Sequence, residues 1–283
     1  MKKKPIAYIV DSTAHISNEL ANHPDLYVVP LNVHFGDQEY ADGVGIRPEE
    51  LYEKIRTSTE LPKTSQPSAG RFAELFDRLK EEYEQGLAVM LTSELSGTYA
   101  SAVSGAELSG FDVRILDGKS LSYGTTGLVR LAMELEQQGK SRDEIAEDIS
   151  VHIGKTRSYI YIGQLNQLHK GGRMGSVQFY LGSMLQIKPI IQITSEGTLE
   201  VIDKVRSEKK AFRYLVDKVK AAYDDGRRTI HLMHADSPKE AARLKEQMLD
   251  AMPGLEVKTG DIGSVLAVHA GEGTMAVIWY DFD

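Results

Sequence analysis

Short apolar runs alternate in the first half of the chain with stretches in which apolar side chains return every three or four positions. That pattern builds a mainly parallel sheet covered by helices. Ile6-Ala7-Tyr8-Ile9-Val10 predicts a buried strand ending at Asp11-Ser12-Thr13, whose side chains are suited to cap the next helix. Residues 27–33 predict a second strand, and Pro48 opens a helix with Leu51 and Ile55 on its core face. Ser68 is expected to cap a helix carrying Phe72, Leu75, Phe76 and Leu79, with Gly86 ending it. Residues 87–91 form the next strand, which runs into Thr92-Ser93-Glu94-Leu95-Ser96-Gly97 and another helix. A fourth strand at 112–116 precedes helices near 122–138 and 141–153.

After about residue 155 the texture changes. Tyr159-Ile160-Tyr161-Ile162 is strand-like and leads into Gly171-Gly172-Arg173-Met174-Gly175. Residues 187–194 and 198–205 read as strands joined by a hairpin turn at Ser195-Glu196-Gly197. Helices over 207–223 and 237–249 flank a strand at 229–233, and strands at 256–258 and 275–280 complete a mixed sheet. With no repeat, low-complexity tract or long linker, the expectation is an α/β protein of two domains, residues 1–155 and 156–283, packed closely around a shared cleft.

Composition narrows the chemistry. The 283 residues, 41% hydrophobic and 26% charged, suffice for two such domains and argue against disorder. A net charge of −8 argues against a sequence-independent grip on nucleic acid, although it leaves room for a local basic patch. Zero cysteines excludes disulfides and thiolate chemistry and suits a reducing compartment. The basic start, Met1-Lys2-Lys3-Lys4-Pro5, is followed by an apolar run that Asp11 cuts short, so a strand is expected there and not a signal peptide. No run approaches the roughly 18 apolar residues of a membrane span, and the expected location is cytoplasmic.

Three distant segments carry the candidate chemistry: Lys63-Thr64-Ser65-Gln66-Pro67-Ser68, Glu94-Leu95-Ser96-Gly97-Thr98-Tyr99 and His269-Ala270-Gly271-Glu272-Gly273-Thr274. Each lies where an apolar run meets a turn or a helix start. Thr64, Ser96 and His269 are therefore candidates to donate to one carboxylate or phosphate. Ser96 follows a strand end and opens a helix, where backbone N–H groups attract anions, and Gly97 allows close approach. Taken singly, such hydroxyls are ordinary caps. His269 is expected to emerge from the apolar run 262–268 into a loop, where a lone histidine is more often structural. His231 and His234, three apart, point to opposite faces of a strand end and read as solvated or capping residues. Arg173 and Arg206 stand beside a glycine pair and a strand end, where surface ion pairing is the common fate.

Several motif matches fail on context. Gly118-Lys119-Ser120 has Val113 where a phosphate loop needs its first glycine. Residues 271–276 precede a strand and not a helix, the wrong setting for a dinucleotide fingerprint. Ser96 has Glu94 where a nucleophile elbow needs glycine.

As an ordered set, Asp11-Ser12-Thr13, the three hydroxyl segments and Gly171-Gly172-Arg173 resemble the DegV family of bacterial fatty-acid-binding proteins, over about residues 5–282. The resemblance implies a mainly parallel N-terminal α/β domain and a mixed C-terminal one enclosing a long-chain fatty acid such as palmitate. It implies no cofactor and no catalysis by the chain itself. Its fatty-acid-binding positions are Thr64, Ser65, Ser96, Gly97, Thr98 and His269, with Arg173 and Arg206 facing the head group or a partner. The family includes the subunit that presents bound lipid to an ATP-dependent fatty acid kinase, which implies such a kinase as partner. Two other classes stay open. One is a hydrolase or phosphotransferase using Ser96 and His269; the other is a regulatory protein with a vestigial pocket.

Overall fold

The computed structural model describes residues 2–58, 60–173 and 188–281. The first half of the chain runs β1 (Lys4–Asp11), α1 (Asn18–Ala21), β2 (Leu26–Val29), β3 (Asn32–Phe35), β4 (Gln38–Ala41), α2 (Pro48–Thr57), β5 (Lys63–Ser65), α3 (Ala69–Glu82), β6 (Tyr83–Met90), α4 (Thr98–Ser109), β7 (Val113–Asp117), α5 (Tyr123–Gln137) and α6 (Arg142–Ser150). The second runs β8 (Thr156–Tyr161), α7 (Leu165–Lys170), β9 (Lys188–Ile193), β10 (Leu199–Val205), α8 (Glu208–Asp224), β11 (Thr229–His234), α9 (Pro238–Ala251), β12 (Glu256–Asp261), α10 (Ser264–Ala270) and β13 (Met275–Tyr280). The α/β architecture, parallel first and mixed second, is the one the sequence predicts.

In the first sheet, ordered β2-β1-β6-β7, every pairing is parallel. Its central strand is buried on both faces, which is why it reads as an unbroken apolar run. Ala7 and Ile9 join Phe72, Phe76 and Leu79 of α3, while Tyr8 and Val10 join Leu128, Ala132, Ile145 and Ile149 of α5 and α6. The second sheet, ordered β10-β9-β8-β13-β11-β12, is antiparallel except between β11 and β12. Tyr161, Ile190, Leu232 and Val277 pack on α8 and α9 on one side. Alternate residues on the same strands, among them Ile160, Ile191, Met233 and Ile278, belong to clusters on the opposite side, where the first half of the chain lies.

Four expectations need correction. Asp11-Ser12-Thr13 does not cap a following helix: α1 begins later, under Ser17. Asp11 is fully buried and accepts from Thr13 N and Oγ1 at 2.9 and 2.5 Å and from Leu91 N at 2.6 Å, tying the ends of β1 and β6 together. The strand expected at 27–33 is two, because Pro30, which has no N–H, separates β2 from β3 and the two strands lie in different sheets. Gly86 lies inside β6 and does not end α3; a Cβ there would stand 2.8 Å from the Phe111 ring. His231 and His234 are each only 7% exposed, so neither is solvated. Strands β4 and β5, which pair with β3 in a small sheet, and the short helices α7 and α10 are additional to the predicted elements. In the stretch 171–175, Met174 and Gly175 lie outside the described residues, as does residue 187 at the start of the strand expected there.

Two hydrogen bonds and a ring stack are among the contacts that join the halves. Thr92 Oγ1 donates to the Gly197 carbonyl at 3.1 Å, where Gly197 takes φ +85° at the β9–β10 hairpin tip. Tyr280 OH donates to the Tyr123 carbonyl. The Tyr123 ring stacks on His231 with centroids 3.6 Å apart and on His15 at 4.5 Å. Burial, reinforced by Lys258, His15 and Arg130, pushes the His231 imidazole down to about 3 from its ordinary 6.5.

An unfolded chain protonates His231 below about 6.5 while the folded one keeps it neutral, so stability falls as the pH drops from about 6.5 toward 3. At pH 5 this one group removes about 2 kcal/mol. Denaturant unfolding at pH 7.5 and pH 5 is expected to show a smaller loss in His231→Gln than in wild type; equal losses refute the assignment.

Candidate functional site

A cavity of about 970 Å³, mouth included, lies between the free face of the mixed sheet and the loops at the carboxyl ends of the parallel strands. The period of two along the strands makes its apolar wall: Ile160 on β8 and Ile162 just after it, Ile191 and Ile193 on β9, and Ala276 and Ile278 on β13. Leu95 and Leu121 enter from the loops after β6 and β7, and Val265 and Leu266 from α10.

Thr64, Ser65, Gln66, Ser96, Arg173 and His269 also line it. Contacts gather them. Thr64 sits on β5, which pairs with β3, and its Oγ1 lies 2.8 Å from His269 Nε2. Ser65 Oγ, one residue on, is 2.8 Å from His34 Nε2. Gln66 packs on Gly97, where a Cβ would stand 2.7 Å from its Nε2, bringing the β5 segment against the Ser96 loop. Arg173 Nε donates to the Leu95 carbonyl at 3.3 Å and Nη1 to the Gly171 carbonyl at 2.8 Å, fixing its guanidinium beside that loop.

His269 is not in a loop, as expected from the sequence, but in the last turn of α10, which Gly271 ends at φ +76°. Burial, with the positive charge of Arg173 adding to it, pushes the imidazole down to about 4, so it is neutral at pH 7. Nδ1 is buried without a hydrogen-bond partner. With the ring proton on Nε2, the imidazole donates to Thr64 and leaves the threonine hydrogen for another acceptor.

The remaining predicted positions fall differently. Ser96 Oγ pairs with Thr98 Oγ1 at 2.8 Å and accepts from Thr98 N at 3.3 Å. Thr98 is fully buried and Gly97 occupies the N-cap of α4; neither lines the cavity, and both hold Ser96 in place. Arg206 is exposed just past β10 and lies away from the cavity wall. Among the described residues Ser96 and His269 are not hydrogen-bonded to each other, each having another partner, so the serine–histidine pair of a hydrolase is not formed. Gln66 and His34 are not among the candidates the sequence offers, since an amide and a histidine brought in by a pairing three residues long carry no spacing signal. Among the described residues no cluster suited to a metal occurs, and no helix is long and apolar enough to cross a membrane.

Gly171 packs against His269: a Cβ there would lie 2.1 Å from Nδ1. Gly171→Ala is expected to swing the ring off Thr64 toward water and raise its titration midpoint from about 4 toward 6.5. Imidazole NMR titration of the ligand-free protein checks this, and an unmoved midpoint overturns it.

Residues 5–281 match the family model described as "Uncharacterised protein, DegV family". A DegV domain-containing protein of Streptococcus pneumoniae is 32% identical over 274 residues, which cover 96% of this chain and 97% of that one. Two solved structures share the fold along nearly the whole length. A fatty acid binding DegV family protein from Streptococcus agalactiae superposes with a TM-score of 0.89 at 31% identity, covering 98% of each chain. A DegV family protein from Thermus thermophilus, described for its fatty acid binding, superposes at 0.88 and 30% identity, covering 98% of this chain and 99% of its own.

Proposed function

We propose, from the premise that this chain belongs to the DegV family, that it is a non-catalytic carrier of a long-chain fatty acid. The observation that carries the reading is a cavity with apolar walls and, among the described residues, a gathered set of polar side chains: Thr64, Ser65, Ser96, His269 and Arg173. The acyl chain lies along the isoleucine-rich wall and the carboxylate meets Thr64 and Ser96, with His269 and Arg173 beside it. Gly97 and Thr98 support Ser96 from behind.

Magnitudes favour this division. Burying a CH₂ contributes about 0.8 kcal/mol, so roughly 14 of them give about 11 kcal/mol before the costs of association. The tail then supplies affinity. A carboxylate taken out of water without donors opposes binding, and the hydroxyls offset that penalty and fix which end faces the opening.

The reading extends to a partner and a place. The carrier presents its carboxylate to an ATP-dependent fatty acid kinase in the cytoplasm, with residues 1–155 and 156–283 as the two domains that enclose the ligand. Arg206, exposed and outside the cavity, suits recognition of that partner, while Arg173 beside His269 suits the head group.

Native mass spectrometry of protein purified from cells tests the lipid directly: a co-purifying fatty acid is expected, and a protein that is empty and refuses added lipid sinks the proposal. Thr64→Ala and Ser96→Ala each remove a hydrogen bond to a charged group, about 1.5–3 kcal/mol or roughly 10- to 150-fold in affinity. Titration with a fluorescent fatty acid measures the loss, and wild-type affinity in both variants refutes the head-group assignment. Arg206→Ala is expected to keep its fatty acid yet slow acyl-phosphate formation by an added fatty acid kinase. Unchanged rates return Arg206 to the role of a surface cation.

A further inference from the structure

Ser122, at the start of α5, takes φ +54° and ψ −130°, a backbone region that residues other than glycine rarely adopt. Its surroundings hold it there. The Ser122 N–H donates to the Thr13 carbonyl at 3.0 Å, and its carbonyl accepts from Thr126 N at 3.2 Å and from Thr126 Oγ1 at 3.1 Å. A conformation kept against its own preference invites a search for a role. The residue is 4% exposed and lines the cavity, and among the described residues its hydroxyl has no hydrogen-bond partner.

A second hydroxyl meets the same space. Ser158 on β8 is buried and lines the cavity; its Oγ accepts from Ile193 N at 3.2 Å, which leaves the hydroxyl hydrogen uncommitted among the described residues. The start of α5 lies across the start of β8, since a Cβ on Gly124 would stand 3.2 Å from Thr156 Cγ2. Neighbouring wall residues Leu121, Ile160 and Ile193 are apolar. This pair stands away from the head-group end, which Gly163 marks: its N–H donates to Thr274 Oγ1 at 3.0 Å, and Thr274 Oγ1 donates to the Ala270 carbonyl, beside His269, at 2.7 Å. Counting back from Gly163 to Ser158 at about 3.3 Å per residue gives roughly 16 Å. An extended chain advances about 1.2 Å per bond, so an acyl chain with its carboxylate at Thr64 and Ser96 brings a carbon roughly a dozen bonds away to the two serines.

We infer that Ser122 and Ser158 form a second polar subsite that takes an oxygen on the acyl chain itself, so that the ligands include long-chain fatty acids hydroxylated beyond mid-chain. The inference rests on the fatty-acid reading. An alcohol buried in a wholly apolar tail pocket loses its water partners without replacement, whereas here Ser158 donates to it and Ser122 accepts from it. A plain tail leaves the Ser122 hydroxyl as unpaired as it is without ligand, so the subsite admits an unsubstituted acid and favours the hydroxylated one.

Competition of octadecanoic acid and 12-hydroxyoctadecanoic acid against a fluorescent fatty acid tests the subsite. Wild-type protein is expected to bind the hydroxylated acid at least as tightly as the plain one. Ser122→Ala and Ser158→Ala should each weaken binding of the hydroxylated acid about tenfold and leave octadecanoic acid within about twofold. Ser122→Ala keeps the Cβ and breaks no side-chain hydrogen bond among the described residues, so it decides the matter if Ser158→Ala, which strips the acceptor from Ile193 N, does not fold. Wild-type protein that binds octadecanoic acid but takes the hydroxylated acid about tenfold more weakly, or a Ser122→Ala variant with an unchanged affinity ratio, overturns the inference and leaves the carrier reading standing. Refusal of both acids by wild-type protein overturns the carrier reading and the subsite with it.

Discussion

The hydrogen bond between Thr64 Oγ1 and His269 Nε2 joins residues 205 positions apart and closes the polar end of the cavity. Each partner is held from behind. Thr64 is fixed by the pairing of β5 with β3, and His269 by the last turn of α10 and by Gly171, which leaves no room beside Nδ1. With its proton on Nε2 the ring donates to Thr64 and leaves the threonine hydrogen free, and burial beside Arg173 keeps the ring neutral at pH 7. A charged imidazole there would add a second cation to a poorly solvated site and bring its own desolvation penalty.

The mixed sheet explains why there is a cavity at all. Tyr161, Ile190 and Leu232 on one face fill the space under α8 and α9, whereas the other face presents Ile160, Ile191 and Ile278 to the first half of the chain. That half meets it with loops at the carboxyl ends of parallel strands, which carry Leu95, Ser96 and Leu121 and cannot fill the gap as a helix would. Polar groups therefore arrive at an apolar surface from one side, giving a greasy wall and a hydrogen-bonding end in one enclosure.

The long elements were legible because their patterns are local. β1, α3 and the β9–β10 hairpin follow from apolar runs, a serine cap and a glycine turn. Where a non-local contact decides the outcome, the pattern misleads: Gly86 looks like a helix stop but stays in β6 because the Phe111 ring needs the space, and Asp11 looks like a cap but serves as a buried tie between strands. The site divides the same way. Its segments could be read from hydroxyls and glycines, but β5 and α10, three and seven residues long, have too little periodicity to be predicted, and they set the Thr64–His269 pairing. His34 against Ser65 and Gln66 against Gly97 are likewise products of the fold.

On the proposed reading, the donor set also bears on how firmly the head group is held. Two guanidinium donors of Arg173 already serve the Leu95 and Gly171 carbonyls, and Ser96 already pairs with Thr98, so a carboxylate arriving there finds partly satisfied partners. Such groups stabilise an anion without binding it as tightly as a dedicated, fully paired arginine fork would. The tail then retains the ligand by burial, which is indifferent to what happens at the carboxylate, and the oxygen atoms stay available for chemistry performed by another protein. A carrier that must surrender its head group to a second active site is better served by that division than by strong ion pairing, because the energy that holds the lipid is not energy that must be overcome at the reacting atoms.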